Sequence, residues 1–149
     1  MDRTEKELLE AVYRRRDEVV ELCRGLVAVP SENPPGDTTA IAEHVAALLR
    51  QRNIPVEIIA PQPAMPNVVA TVEGNGPGRH LVFNGHLDTF PVGDRGQWSV
   101  NPLGEVLDGR IYGRGAADMK GGVTASLVAF FLLAERRDQW PGRVTITLV

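Results

Sequence analysis

Two short segments hold residue types that could do chemistry. The first is Phe83-Asn84-Gly85-His86-Leu87-Asp88. Residues two apart on extended backbone face the same side, so His86 and Asp88 can point into one site. A carboxylate beside an imidazole accepts one ring N–H. It thereby sets the tautomer and leaves the other nitrogen free to bind a metal. On these residues alone, a loop turn with a hydrogen-bonded Asp88 is the simpler account. The second segment is Tyr112-Gly113-Arg114-Gly115-Ala116-Ala117-Asp118-Met119-Lys120-Gly121-Gly122. Asp118 precedes a predicted helix, whose positive end favours a carboxylate, although a plain capping aspartate would look the same. Four glycines within the ten residues from Gly113 to Gly122 need another reason. They permit unusual dihedrals and close approach, yet Gly121 and Gly122 weaken the start of a helix. A local rule broken without structural gain marks a functional site. Lys120 either pairs with a carboxylate or is exposed, and the pattern does not choose.

The elements that must position these residues follow from periodicity. Thr4 and Glu7 fit a capping box. Leu8, Val12, Val19, Cys23 and Leu26 then recur at helical spacing, with a weak point near Arg15. Pro30 ends this segment and Pro34-Pro35-Gly36 makes a rigid loop. Asp37 caps a second helix striped by Ile41, Val45, Leu48 and Leu49. The period then changes. Val56 to Ile59, Asn67 to Val72 and Leu81 to Asn84 read as strands, with a proline-rich loop over Pro61 to Pro66. Asp108-Gly109 joins Glu105–Leu107 to Arg110–Tyr112 as a hairpin. A buried helix runs from about Gly121 to Glu135. Val144, Ile146 and Leu148 alternate as a last strand. The order predicts an α/β fold, a mixed β-sheet sandwiched by helices. Sites in such sheets lie at the carboxyl ends of strands, and the last strand reaches Val149, the final residue, so the position where chemistry would follow it is expected to be missing.

Composition excludes several classes. The 149 residues are 43% hydrophobic and 23% charged, enough for one domain with a core. A net charge of −3 argues against nucleic acid as a partner. Arg14-Arg15-Arg16 reads as a solvated helix face. Cys23 is the single cysteine, so an intrachain disulfide and a thiolate zinc cluster are excluded, and it reads as a small core residue. The charged stretch from Met1 to Glu7 is unlike a signal peptide. The apolar run from Val123 to Ala134 is too short to span a bilayer. The expectation is a cytoplasmic protein without a membrane partner.

Several motifs occur together in order: Ser31-Glu32-Asn33-Pro34-Pro35-Gly36, Asn67-Val68-Val69-Ala70, Gly85-His86-Leu87-Asp88-Thr89, Trp98 and Pro102, Asp108-Gly109, Gly113-Arg114-Gly115, and Asp118-Met119-Lys120-Gly121-Gly122. Over nearly the whole chain this resembles the family of acetylornithine deacetylase, succinyl-diaminopimelate desuccinylase, aminoacylase and glutamate carboxypeptidase. The resemblance implies a zinc-aminopeptidase-like catalytic domain with two zinc ions, cobalt being a possible substitute. It implies that His86 binds one metal, that Asp88 orients His86 and counts as catalytic, and that Asp118 bridges the two. It also implies a cis peptide between Asp118 and Met119. Trp98 either lines the pocket or anchors its loop.

The same resemblance implies groups that have no counterpart here. The family has an adjacent acidic pair, one member being the general base, then a later acidic ligand and a histidine near the C-terminus. After Asp118 the acids are Glu135 and Asp138, and no histidine follows. A helix between them would put those acids roughly 20 Å from Asp118. His44 falls on the second helix. His80 opens the third strand, about 17 Å from His86. The 149 residues therefore read as an N-terminal segment of a catalytic domain, without the lid and dimerisation domain or the C-terminal segment.

Two classes of function follow. In one, the protein hydrolyses amide bonds of N-acyl amino acids or small peptides, and this chain supplies part of a dinuclear zinc site. In the other, it is an inactive truncated piece serving as a binding or assembly module, prone to self-association through uncovered sheet edge. A redox or nucleotide-binding reading is weaker, because Gly113-x-Gly115 lacks a third glycine at the expected spacing and follows a hairpin instead of opening a βαβ unit.

Overall fold

The computed structural model describes residues 3–149, so the part of the N-terminal reading that falls on Met1 and Asp2 lies outside the described residues. Helix α1 spans Arg3–Tyr13 and α2 spans Arg16–Ala28. The weak point near Arg15 is a break between two helices. Helix α1 already includes Arg3, so Thr4 sits in its first turn instead of capping it. Helix α3 spans Thr39–Arg50. Asp37 does brace its start, accepting a hydrogen bond from the Thr39 N–H at 3.0 Å. That bond holds the Asp37 carboxyl below its ordinary value.

Strands β1 (Glu57–Ile59), β2 (Asn67–Glu73) and β3 (His80–Gly85) follow, then the hairpin β4 (Glu105–Leu107) and β5 (Arg110–Tyr112). Asp108 and Gly109 between them have φ of 51° and 73°, the pair of positive values that a tight two-residue turn requires. Helix α4 (Gly121–Glu135) and strand β6 (Arg143–Leu148) complete the chain.

The main sheet has the order β1-β2-β6-β3. Strands β1 and β2 pair antiparallel, β2 and β6 antiparallel, and β3 and β6 parallel. The α/β class and the mixed sheet are as expected. Val68, Ala70, Val72, Val144, Ile146 and Leu148 line one face and join Ile41, Val45, Leu49, Leu127 and Phe130 in a single core. The opposite face carries Val69, Thr71, Val82, Asn84 and Thr147, none of them buried, around a buried Thr145, and the described helices cover the other side of the sheet. Helix α4 is apolar on nearly every side because the sheet and α2 enclose it. The stretch Ala116–Glu135 is long and apolar enough to cross a membrane by length and composition. Here Val123, Leu127, Val128, Phe130, Phe131 and Leu132 are core residues.

Parallel pairing of β3 and β6 has one consequence for chemistry: their carboxyl ends lie side by side. Val149 N–H donates to the Gly85 carbonyl at 3.0 Å, and Leu87 N–H donates back to the Val149 carbonyl at 2.6 Å. The ladder thus continues past β3 into the segment that carries His86.

Candidate metal centre

Beyond Gly85 the chain keeps its extended alternation. Leu87 and Thr89 are buried, whereas His86 and Asp88 face an opening. Leu87 is driven into the core by its own apolar surface, and the period of two then turns both polar neighbours outward together. His86 Nδ1 lies 2.9 Å from Asp88 Oδ1 and 3.0 Å from the Asp88 carbonyl oxygen. Both partners are acceptors, so Nδ1 carries the proton and donates it.

Asp118 arrives from the other side. Residues 116–120 form a turn that leaves helical geometry at Asp118 (φ −131°, ψ 98°) and Met119 (φ −130°, ψ 29°) before α4 begins. The Asp118–Met119 peptide is cis, as the resemblance implied. Asp118 Oδ1 lies 3.1 Å from His86 Nε2, and its side chain is 80% exposed. Met119 turns inward and its sulfur accepts the His86 backbone N–H at 3.3 Å. Burial pulls the His86 imidazole down, but hydrogen bonds to the Asp88 carbonyl and to the Asp118 and Asp88 carboxylates outweigh it and hold the ring above its ordinary value.

This donor set fits a divalent metal. With the proton on Nδ1, the neutral ring presents its Nε2 lone pair to a carboxylate oxygen 3.1 Å away. Two acceptors at that separation repel unless a cation stands between them, either the Nε2 proton of an imidazolium or a metal ion. A zinc ion bonded to each at about 2.0–2.2 Å spans such a gap. Imidazole and carboxylate are both zinc donors. Among the described residues, no group of three or more His, Cys, Asp and Glu could hold a metal ion. The described residues therefore bring together two groups of zinc-donor type, where a zinc ion takes three or four.

The remaining candidates fall elsewhere. His44 is half-buried on α3, and burial followed by nearby Lys120 holds its imidazole below the ordinary value. His80 opens β3 at the opposite end and bonds Thr145 Oγ1 at 2.8 Å. Glu135 pairs with Arg15 at the far end of α4. Arg15 is thus partnered, and the arginine cluster is a solvated face only at Arg14 and Arg16. Cys23 is buried, and burial raises its thiol, which suits an inert core residue. Trp98 anchors its loop: its Nε1–H donates to the Val92 carbonyl at 3.1 Å, with the Arg114 guanidinium 5.4 Å from its ring. It does not line the 230 Å³ cavity beside His86, Asp88 and Asp118, whose apolar wall is Phe90.

Lys120 matches neither expectation. Its side chain is 1% exposed, and Nζ donates to the Val29 carbonyl at 2.7 Å without any carboxylate. Burial lowers its pKa from 10.5 to about 8. The folded chain therefore sheds this proton before the unfolded chain does. Stability is expected to rise as pH climbs from about 8 to 10.5, by on the order of 2–3 kcal/mol, with none of that gain present below pH 8. Urea unfolding at both ends of that window checks this, with Lys120→Met as the reference lacking the effect. A wild type no more pH-dependent than Lys120→Met would refute it.

Residues 82–149 match the family described as Peptidase family M20/M25/M40. An N-formyl-4-amino-5-aminomethyl-2-methylpyrimidine deformylase of Halalkalibacterium halodurans is 36% identical over 141 residues, covering 92% of this chain and 33% of the relative. A succinyl-diaminopimelate desuccinylase of Methylobacterium radiotolerans is 39% identical over 134 residues, covering 87% of this chain and 33% of the relative. Among solved structures, an M20 family metallo-carboxypeptidase from Sulfolobus solfataricus superposes with a TM-score of 0.77 at 22% identity, over 88% of this chain and 30% of that one. A dinuclear metal binding peptidase of the M20 family from Bacillus subtilis gives 0.63 at 18% identity, over 89% of this chain and 34% of that one. The chain spans about a third of the length of the curated relatives it matches. Over residues 82–149 the chain is similar to peptidase family M20/M25/M40, and over nearly its whole length to these two curated relatives, with a fold shared by the two solved structures.

Proposed function

We propose that this chain is the N-terminal catalytic segment of a metal-dependent hydrolase that cleaves amide bonds of N-acyl amino acids or small peptides. The observation that carries the reading is His86 Nε2 facing Asp118 Oδ1 across 3.1 Å, with Asp88 holding the other ring nitrogen. In this reading His86 Nε2 and Asp118 would hold the metal, Asp118 as the ligand that a pair of zinc ions would share. Asp88 keeps the Nδ1 proton in place and stabilises the ring as a ligand. When bound, the metal pair would polarise the scissile carbonyl and make the attacking water more acidic. The Phe90 wall would exclude water from one side of the reacting group. A carboxylate outside these 149 residues would take the proton from that water. Relatives named as a deformylase and a desuccinylase support removal of an acyl group from an amide nitrogen.

Titration with zinc or cobalt tests the reading, followed by the ring signals of the three histidines. His86 is expected to respond while His44 and His80 stay unmoved. An unresponsive His86 at millimolar metal would end the metal assignment. At the gene, reading on in frame past the Val149 codon is expected to reveal an adjacent acidic pair within a few codons.

A second reading is favoured by the short ligand set: the 149 residues by themselves act as a binding or assembly module without catalysis. Both readings predict negligible turnover by the isolated chain on acetylornithine, succinyl-diaminopimelate or simple N-acyl amino acids in excess zinc. Robust chelator-sensitive hydrolysis would contradict that.

Strand β3 is a sheet edge, and Leu81 and Val82 on it are each 49% exposed. Such an edge can pair with a second copy. Purified alone, the chain is expected to self-associate, and Val82→Lys to reduce this. Sedimentation showing a monomer at tens of micromolar would count against it.

A further inference from the structure

The metal-facing residues stand on a strap that none of their own roles explains. Residues 31–33 run alongside residues 87–89. Thr89 N–H donates to the Ser31 carbonyl and Asn33 N–H to the Thr89 carbonyl, each at 2.8 Å. Ser31 Oγ donates to the Leu87 carbonyl at 2.7 Å, and the Val92 N–H donates to Glu32 Oε1 at 2.8 Å. Lys120 fastens to Val29 just upstream, so the turn carrying Asp118 and the loop carrying His86 are both tied to this strap.

One contact of the strap reaches the chemistry. Asn33 Nδ2 donates to Asp88 Oδ2 at 2.9 Å, while Oδ1 of the same carboxylate takes the His86 proton. A carboxylate held at one oxygen alone can rotate about its Cβ–Cγ bond and swing about χ1. With Oδ2 pinned, Oδ1 has one orientation, and it lies on His86 Nδ1. His86 Nδ1 has a second acceptor, the Asp88 carbonyl at 3.0 Å, but that oxygen belongs to the backbone and carries no full charge. Asn33 is half-buried and its own backbone is held at Thr89, so the donor is placed before any ligand arrives.

We propose that Asn33 is a positioning residue: through Asp88 it selects the Nδ1–H tautomer of His86 and so turns the Nε2 lone pair toward Asp118. This rests on the reading of His86 as a metal ligand. It adds a third member to the row, Asn33 to Asp88 to His86; Asn33 also lines the cavity beside His86 and Asp118, and its effect on the ring passes through the Asp88 carboxylate.

The test uses the 149-residue chain with labelled histidine, whose three imidazoles are few enough to assign. The ¹⁵N shifts of His86 are read without metal, at a pH where the ring is neutral, and zinc affinity is then measured on the same samples. Wild type is expected to show the Nδ1–H form. Asn33→Ala is expected to lose that preference and revert toward the mixture of a free imidazole, with zinc affinity falling about tenfold. In an Asp88→Asn background, Asn33→Ala is expected to change nothing further, because its effect passes through that carboxylate. Asn33→Asp, equal in size but lacking the donor, is expected to behave as Asn33→Ala does. A folded Asn33→Ala with the wild-type tautomer would overturn the proposal, as would an equal effect in the Asp88→Asn background. Unfolding of both Asn33 variants would assign the residue to the fold and also overturn it. If the tautomer responds but zinc never binds wild type, the metal reading fails and the positioning of His86 stands.

Discussion

His86→Ala is expected to abolish zinc binding by this chain, a loss greater than about 100-fold, and Asp88→Asn to weaken it by about 10–100-fold. The two differ because they act at different atoms. His86 supplies Nε2, one of two donors that converge on a point between it and Asp118. With one donor removed, the remaining carboxylate is an 80% exposed side chain with no geometry to offer a cation. Asp88 is not placed to bind the same ion, since it faces Nδ1. Its replacement by asparagine keeps the shape and removes the charge that holds the ring proton. Calorimetric titration of the three proteins with zinc reads this ranking. Equal affinities, or an Asp88→Asn loss greater than that of His86→Ala, would show that the convergence of His86 and Asp118 is not a metal site.

Gly115→Val is expected to destabilise the chain by about 3 kcal/mol or more. Gly115 has φ of +80°, which a β-branched side chain resists, and a Cβ there would lie 2.4 Å from Thr89 Cγ2. Thr89 cannot yield cheaply. It is buried, and its N–H and carbonyl are both bonded to the 31–33 strap. Pushing it aside would move the strap from Asp88 and unseat both halves of the site together. Gly76 is the control, because a Cβ there meets nothing within 4 Å. Gly76→Ala should stay within about 0.5 kcal/mol of wild type. Urea midpoints of the two variants measure the contrast, and a Gly115→Val as stable as Gly76→Ala would remove close approach as the reason for this glycine.

That glycine illustrates how far the sequence reaches. Four glycines within ten residues, two of them weakening a helix start, mark a place where local rules are broken. Composition says that something approaches closely there. It does not say that the neighbour is Thr89, which lies far away along the chain. Lys120 is a sharper case. A lysine flanked by Met119 and Gly121 has every local reason to be exposed, and its burial against Val29 depends on how α2 ends beside the start of α4. Asn33 lies in a motif that the resemblance singled out, Ser31 to Gly36, yet no spacing rule connects it to Asp88, 55 residues on.

What the sequence by itself determined are the features that repeat locally. The helical stripes, the alternation in β2 and β6, the Asp108-Gly109 turn and the shared outward face of His86 and Asp88 all follow from periods of 3.6 and 2 within a few residues. Motif order added the family and, with it, the assignment of Asp118 to the same site. Only the tertiary structure decided what depends on long-range placement. Parallel pairing of β3 with β6 brought the end of the last strand beside His86. The turn before α4 set Asp118 Oδ1 3.1 Å from Nε2. The strap at residues 31–33 connected Asn33 to Asp88. Distances of this kind are set by the packing of a common core, where the burial of Leu87, Val123 and Ile146 fixes where the elements meet, and no local pattern encodes that sum.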